Sequence, residues 1–334
     1  MKPKKQPTAV LLPLLNGGWP TPERKTEAHV RSYSITADIL SFRRCRRQYG
    51  FFAVRGFNSA TSTQRYFGTL VHDVLDQISR DWQKAKDDPG RALPDEAVVR
   101  ELVRKAHNRL IRSGVRTYGA ERQQEHATKL LDRFIRLTGA KFFDNIHKTE
   151  YRLERAIDAE TPNPFVLEGV VDILSGAISH ELKLPYRTRR EDFEVWDYKS
   201  GRKDDQALRD YEYQMRVYAE LYKQQKGQHP ARAVLVFLGE LADDKPWKNA
   251  EGRADRLPNL FHEVPFDKDS IDEAMSDFRA TVHAIEEEGL KCYADQWPAP
   301  PKDDRPDDAT CDACEIRYNC PSYPRANRQR KEPL

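Results

Sequence analysis

Long hydrophobic runs are missing from this chain. Nowhere in its 334 residues is there a stretch approaching the roughly 20 apolar residues that span a bilayer. A soluble, cytoplasmic protein without a membrane partner is therefore expected. The opening Met1-Lys-Pro-Lys-Lys5 and the short apolar run Ala9–Leu15 superficially resemble a secretory leader, but Pro13 interrupts the run and no small-residue cleavage site follows. Charge of one sign is not in excess either, with 56 Lys+Arg against 53 Asp+Glu, so bulk charge names no partner. There is no Gly-rich phosphate loop ending in Gly-Lys-Ser/Thr, which excludes a P-loop motor within the chain. Internal repeats are absent as well. Five cysteines, an odd number unevenly spread, do not make a disulfide framework and read better as metal ligands in a reducing compartment.

What is present suggests one elaborated domain. Residues 1–30, rich in Pro and Lys, read as a flexible lead-in, residues 31–322 as the domain, and 323–334 as a basic tail. Ser34 or Thr36 is placed to cap a short helix reaching Cys45. Val71, Leu75 and Ile78 share a helical face beside His72. A charged helical insertion is expected over about 82–147, with Thr128–Phe143 keeping helical spacing. Strands follow at Tyr151–Ala159, Phe165–Ile173 and Phe193–Lys199. A helix from Gln206 to Lys223, capped by Asp204 or Asp205, leads to strands at Ala233–Leu238 and Leu260–Phe266, and a last helix starts at Asp269 or Ser270. This order implies an α/β layer, not a doubly wound sheet.

Two of these strands end in carboxylates. Phe165–Ile173 carries Asp172, and the next strand carries Asp197-Tyr198-Lys199, in which period two points Lys199 the same way as Asp197. Carboxylate oxygens suit a hard divalent cation, and an ammonium beside it can orient a water or offset charge on a phosphate. An acidic residue two before a lysine is weak evidence alone, since Glu23/Lys25, Glu181/Lys183 and Asp243/Lys245 repeat it. Glu181-Leu-Lys183 is the serious competitor, because it follows Asp172 more closely. Asp197/Lys199 is preferred because it ends an apolar strand, runs into Ser200-Gly201, and precedes a helix with Gln214 and Tyr218 at i and i+4.

Gly68…His72, Gly169…Asp172, Asp197-Tyr198-Lys199-Ser200-Gly201 and Gln214…Tyr218 occur in that order. The series resembles the RecB-like branch of the PD-(D/E)XK nuclease superfamily, whose pattern is Gly-x-x-x-His, Gly-x-x-Asp, Asp-Tyr-Lys-Thr-Gly and Gln-x-x-x-Tyr. Ser200 stands where that pattern has Thr, a conservative departure. The resemblance spans about residues 34 to 321 and implies a restriction-endonuclease-like α/β core, a mixed central sheet flanked by helices. Cys45 upstream with Cys311-x2-Cys314-x5-Cys320 downstream resembles the iron–sulfur arrangement of CRISPR-adaptation and AddAB-type nucleases. On ligand type alone four thiolates make zinc the default, whereas the resemblance implies a [4Fe–4S] cluster stapling the N- and C-terminal segments together. Cys292 is left over.

The resemblance further implies that His72, Asp172, Asp197 and the Tyr198 carbonyl bind Mg²⁺ or Mn²⁺, that Lys199 assists hydrolysis, and that Gln214 and Tyr218 face the site. Arg43, Arg44, Arg46 and Arg47 are candidates for salt-sensitive phosphate contacts, although a solvated face is the bland alternative. The expected function is a metal-dependent deoxyribonuclease, an exonuclease on single-stranded or end-containing DNA, in recombination and repair, CRISPR adaptation or phage defence. Without a motor of its own it would need a helicase or similar partner for processive duplex degradation. The alternative is a catalytically silent nucleic-acid-binding or scaffold protein of the same fold, stapled by zinc or iron–sulfur.

Overall fold

Along Arg232–Phe237 every second side chain belongs to a different core. Val234 and Val236 pack on one side, Ala233, Leu235 and Phe237 on the other, and all are buried. A strand apolar on both faces must lie inside a covered sheet. The computed structural model, which describes residues 31–57, 63–115, 117–157, 164–184, 193–242, 260–292 and 295–323, has such a sheet. Its strands are β1 (Arg31–Ser34), β2 (Ile146–Ile157), β3 (Phe165–Ser175), β4 (Glu194–Lys199), β5 (Arg232–Phe237) and β6 (Phe261–Glu263). They run in the order β1-β3-β4-β5-β6, with β2 added on β3. The sheet is mixed: β1 with β3 and β4 with β5 are parallel, the other pairs antiparallel.

One face is covered by helices that precede β2 in the chain. Helix α1 (Thr63–Lys84) lays Leu70, Val71, Val74, Leu75 and Ile78 against it, and α2 (Glu96–Arg112) and α3 (Ala120–Thr138) stack behind. Asp95 caps α2 by accepting from Val98 N–H, and Gly139, at φ 67°, ends α3. The helical spacing of 128–143 is thus two helices, not one, because the chain turns at Gly139 before Ala140–Asp144. The other face holds the turns Ile35–Leu40, Ser41–Arg44 and Arg46–Tyr49 with α4 (Asp205–Lys226) and α5 (Lys268–Leu290). Ser34 caps the first of these turns and Asp204 caps α4, as expected, whereas α5 begins earlier than expected, at a capping box of Asp267 and Ser270.

Other expectations shift at their edges. β1 was not anticipated, since four residues carry little periodicity and the strand exists through its pairing with β3. β2 starts at Ile146, inside the expected helical insertion, and the strand expected over 260–266 is only Phe261–Glu263. Glu181-Leu-Lys183, the competing triplet, lies on the helical turn Ile178–Glu181 and its exit, with Lys183 left-handed at φ 55°. The lead-in 1–30 and the tail from 324 lie outside the described residues.

Segments from early and late in the described residues meet on the α4/α5 face. Trp297 is buried edge-on to Phe42 and Tyr49, at 6.4 and 5.7 Å between ring centroids, and its backbone N–H donates to Glu288 Oε1 at 2.8 Å. Gly50 makes room for the indole, because a Cβ there would sit 2.0 Å from Trp297 Cγ. Among the described residues no helix is long and apolar enough to cross a membrane.

Candidate functional site

The sheet opens at one point, and the carboxylates stand there. β2 occupies one edge of β3 along its length. The other edge is shared by β1, against Phe165–Glu168, and β4, against Ile173–Ser175, so Gly169 to Asp172 have no ladder partner on that side. Asp172 closes the gap in part, accepting from Tyr198 N–H at Oδ2 (2.6 Å). β3 also changes face here. Val171 packs in the α4/α5 core and Ile173 in the α1 core, although strict alternation would place them together. Opposite Asp172 on β2, Glu150 is left-handed at φ 47°, the irregularity that accompanies this change of face.

Helix α1 brings His72 to the opening from one side, its Nδ1 3.2 Å from Asp172 Oδ1 and its ring edge-on to Tyr198. From β4, Lys199 Nζ lies 2.6 Å from Asp197 Oδ2 and donates to Gln214 Oε1 at 3.0 Å. The ammonium also sits 4.2 Å from the centre of the Tyr211 ring. Gln214 donates in turn to Tyr218 Oη at 3.0 Å. Gly169 is required by this chain of contacts: a Cβ there would meet Tyr218 Cε1 at 2.3 Å. The spacing Gly169-x-x-Asp172 thus joins a close approach to a carboxylate three residues on.

His72, Asp172, Asp197, Lys199, Gln214 and Tyr218 all line one cleft of about 490 Å³. Tyr198 does not turn its ring there. It faces the α1 core against Phe134, as period two requires of a residue between Asp197 and Lys199. Burial raises the Asp197 carboxyl above its ordinary range, against the pull of Lys199, and the Asp172 charge adds to the rise. Burial also opposes ionisation of Asp172, but His72 and the Tyr198 N–H outweigh it and hold this carboxyl low. For His72 burial acts downward, and the Asp172 carboxylate reverses it, to about 9. The site thus gathers carboxylates around the Lys199 ammonium and the His72 imidazolium, and a dication bound through His72 would take the place of its proton.

Glu150 was not anticipated. One ligand atom each from His72, Glu150 and Asp172 lie within 4.8 Å of one another, the only such set of three among the described residues, and Asp197 does not join it. Desolvation, then the charge of Asp172, raises the Glu150 carboxyl to about 7. Nothing in Lys148-Thr-Glu-Tyr151 marks the residue. The available signal was its register across from Asp172, which depends on the connection between β2 and β3.

A second cavity gathers the cysteines. Cys45 interrupts the helical turns before Arg46, Cys311 lies on Asp308–Ala313, and Cys314 and Cys320 end short helical turns; all four line it. Burial raises the Cys45, Cys311 and Cys314 thiols, and each also feels the charge of its neighbours in the group. Cys292 is exposed and does not line the cavity. Of the arginines, Arg43 is exposed but tied to α5, donating to Asp277 Oδ2 (2.5 Å) and Thr281 Oγ1. Arg47 donates to Asn319 O and borders the cysteines, Arg46 lies over Phe42, and Arg44 is exposed.

Residues 36–321 match the family model of the PD-(D/E)XK nuclease superfamily. The chain belongs to this superfamily. Its mixed sheet flanked by helices agrees with that fold, and superfamily members are typically nucleases that use divalent metals such as Mg²⁺. No curated protein matches the chain.

Proposed function

We propose that this superfamily member is a RecB-like deoxyribonuclease that hydrolyses phosphodiester bonds with Mg²⁺ or Mn²⁺. The observation that carries the reading is Lys199, braced between Asp197 and Gln214 at the point where β3 and β4 part beside Asp172. A retired site has no need to keep an ammonium buried against a carboxylate, an arrangement with a large desolvation cost. The donor set of carboxylates with one imidazole suits a hard dication and accommodates manganese. When bound, the cation supplies a water of lowered pKa and polarises the phosphate. Lys199 orients the attacking water and offsets the charge that develops on the phosphoryl oxygens. Gln214 fixes the ammonium, Tyr218 fixes Gln214, and the Tyr198 N–H holds the Asp172 carboxylate in place.

The chain is proposed to act on single-stranded or end-containing DNA, as an exonuclease, in recombination and repair, CRISPR adaptation or phage defence. A helicase or similar motor in another chain is the proposed source of unwound duplex. Arg44 and Arg46 are the proposed phosphate contacts near the cysteines. Digestion of end-labelled linear and circular DNA with Mg²⁺ or Mn²⁺ tests this. Loss of label from ends with circles intact is expected, whereas nicked circles would show an endonuclease and no cleavage of either would refute the reading.

For the four cysteines we propose a [4Fe–4S] cluster, with zinc as the alternative. Cys45, Cys311, Cys314 and Cys320 all line one cavity, as a four-thiolate site of either kind requires, and it is the resemblance of their spacing to that of iron–sulfur nucleases that favours the larger cofactor over zinc. An anaerobic absorption spectrum with metal analysis separates the two, a brown chromophore with iron being expected and colourless zinc protein refuting it.

A further inference from the structure

Residues 43–57 carry Arg43, Arg44, Arg46, Arg47 and Arg55 and neither aspartate nor glutamate, in a chain whose acids and bases nearly balance. The same segment shows apolar surface. Phe57 is 56% exposed and Val54 51%, whereas Phe42 and Tyr49 are buried against Trp297. Single exposed apolar residues are ordinary, but an exposed aromatic ring set among arginines without carboxylates is a mark of a binding surface. No residue of this segment lines the Lys199 cleft, so the feature lies outside the site described above.

The backbone is shaped to present the ring. After the turn Gly50–Val54, Arg55 N–H donates to Gly50 O at 3.0 Å, and Gly56, at φ 69°, reverses the chain in a conformation that glycine adopts without strain. Phe57 N–H then donates to Phe51 O at 3.1 Å, and the two rings meet at 5.4 Å between centroids. Arg47 and Arg55 both lie over the Phe51 ring, at 5.2 and 5.1 Å from its centre. Phe57 is therefore backed by a ring and two guanidinium groups while more than half of its own surface faces solvent. Arg47 also lines the cysteine cavity, which sets the group beside it.

We propose that Phe57 and Phe51, flanked by Arg47 and Arg55, form a stacking platform for an unpaired base of single-stranded DNA. An apolar protein face would match Phe57 and Val54 but would leave the arginines without a counterpart. A single strand supplies both complements, phosphates for the guanidinium groups and a base face for the ring. A duplex does not, because its base faces are already stacked on one another. The proposal rests on the nuclease reading for DNA as the substrate, and it adds a holding point outside the cleft that selects the unpaired strand.

Fluorescence anisotropy of labelled oligo(dT) on the purified full chain, without added divalent cation, tests this. A strand of the same sugar–phosphate backbone lacking bases and a blunt hairpin duplex serve as companion probes. Phe57→Ala should weaken oligo(dT) binding about fivefold or more, the contribution of one stacked base. Its salt dependence should not change, because no charge is lost. Binding of the abasic strand and the hairpin should stay at the parent's level, and that retention excludes misfolding as the cause. Phe57→Tyr keeps the ring and should bind as the parent does, whereas Phe57→Leu, apolar but without a ring face, should lose binding as alanine does. Parental oligo(dT) binding in Phe57→Ala, or an equal loss on the abasic strand, would overturn the proposal. Parental binding in Phe57→Leu would overturn it too and assign the patch to apolar protein contact. Cleavage is measured in the same samples after Mn²⁺ is added. Phe57-sensitive binding without cleavage by the parent would refute the nuclease reading alone, and cleavage with Phe57-insensitive binding would refute this inference alone.

Discussion

Gly169→Ala is the smallest change that reaches the proposed catalytic lysine without touching it. The added Cβ would lie 2.3 Å from Tyr218 Cε1 and 3.0 Å from Cδ1 and Cζ, where contacts of about 3.5–4.0 Å are normal, so the ring must move by more than an ångström. Tyr218 is buried and bonded to Gln214, which leaves it little room to move. Overpacking of this kind costs about 1–3 kcal/mol, and losing the Gln214–Tyr218 bond adds about 1 kcal/mol. Thermal melting should therefore fall by several degrees, and cleavage should fall further than stability alone explains, because Gln214 no longer braces Lys199. Gly289→Ala is the control: nothing lies within 4 Å of the added methyl on α5, and alanine favours a helix by up to about 1 kcal/mol. Gly169→Ala protein with parental melting and parental cleavage would refute the argument.

Trp297→Ala should destabilise the protein by about 3–5 kcal/mol in denaturant melts and lower the metal content of the cysteine cavity, since the indole packs on Phe42 and Tyr49 between the two cysteine-bearing segments. Arg43→Ala should lower the melting temperature without changing the salt dependence of DNA binding, whereas Arg44→Ala should leave melting unchanged and reduce the salt slope by about one. Glu220→Gln tests acid stability. Burial opposes the charge on Glu220, but Gln224, His229 and Lys223 outweigh it and hold the carboxyl below its usual 4.5. Its contribution is present above pH 4.5 and is lost as pH falls through the lower folded value, so the variant's melting deficit at neutral pH should vanish in acid.

The residues of the cleft were legible because their geometry follows from local periods. Period two set Asp197 and Lys199 on one side of β4 with Tyr198 opposite, and helical spacing stacked Gln214 on Tyr218. Contacts between distant segments were not legible. Arg43 looks like one of four equal surface arginines until α5 brings Asp277 and Thr281 against it, more than 230 residues on. Glu150 escaped for a related reason, since it owes its position to its pairing across from Asp172 on a distant strand and to a left-handed backbone that strand patterns do not encode. The cysteine spacing pointed to the four members of the group by resemblance, and the fold supplied the cavity that all four line.

The most direct test of the central claim is Mn²⁺-dependent cleavage of end-labelled single-stranded DNA by the parent, Lys199→Ala and Lys183→Ala side by side. Lys199→Ala should lose cleavage by at least about a hundredfold, as removal of a preorganised electrostatic group does. Lys183, on the exit of its helical turn and away from the cleft, should be dispensable. Equal activity in the parent and Lys199→Ala, or loss of activity in Lys183→Ala alone, would contradict the account.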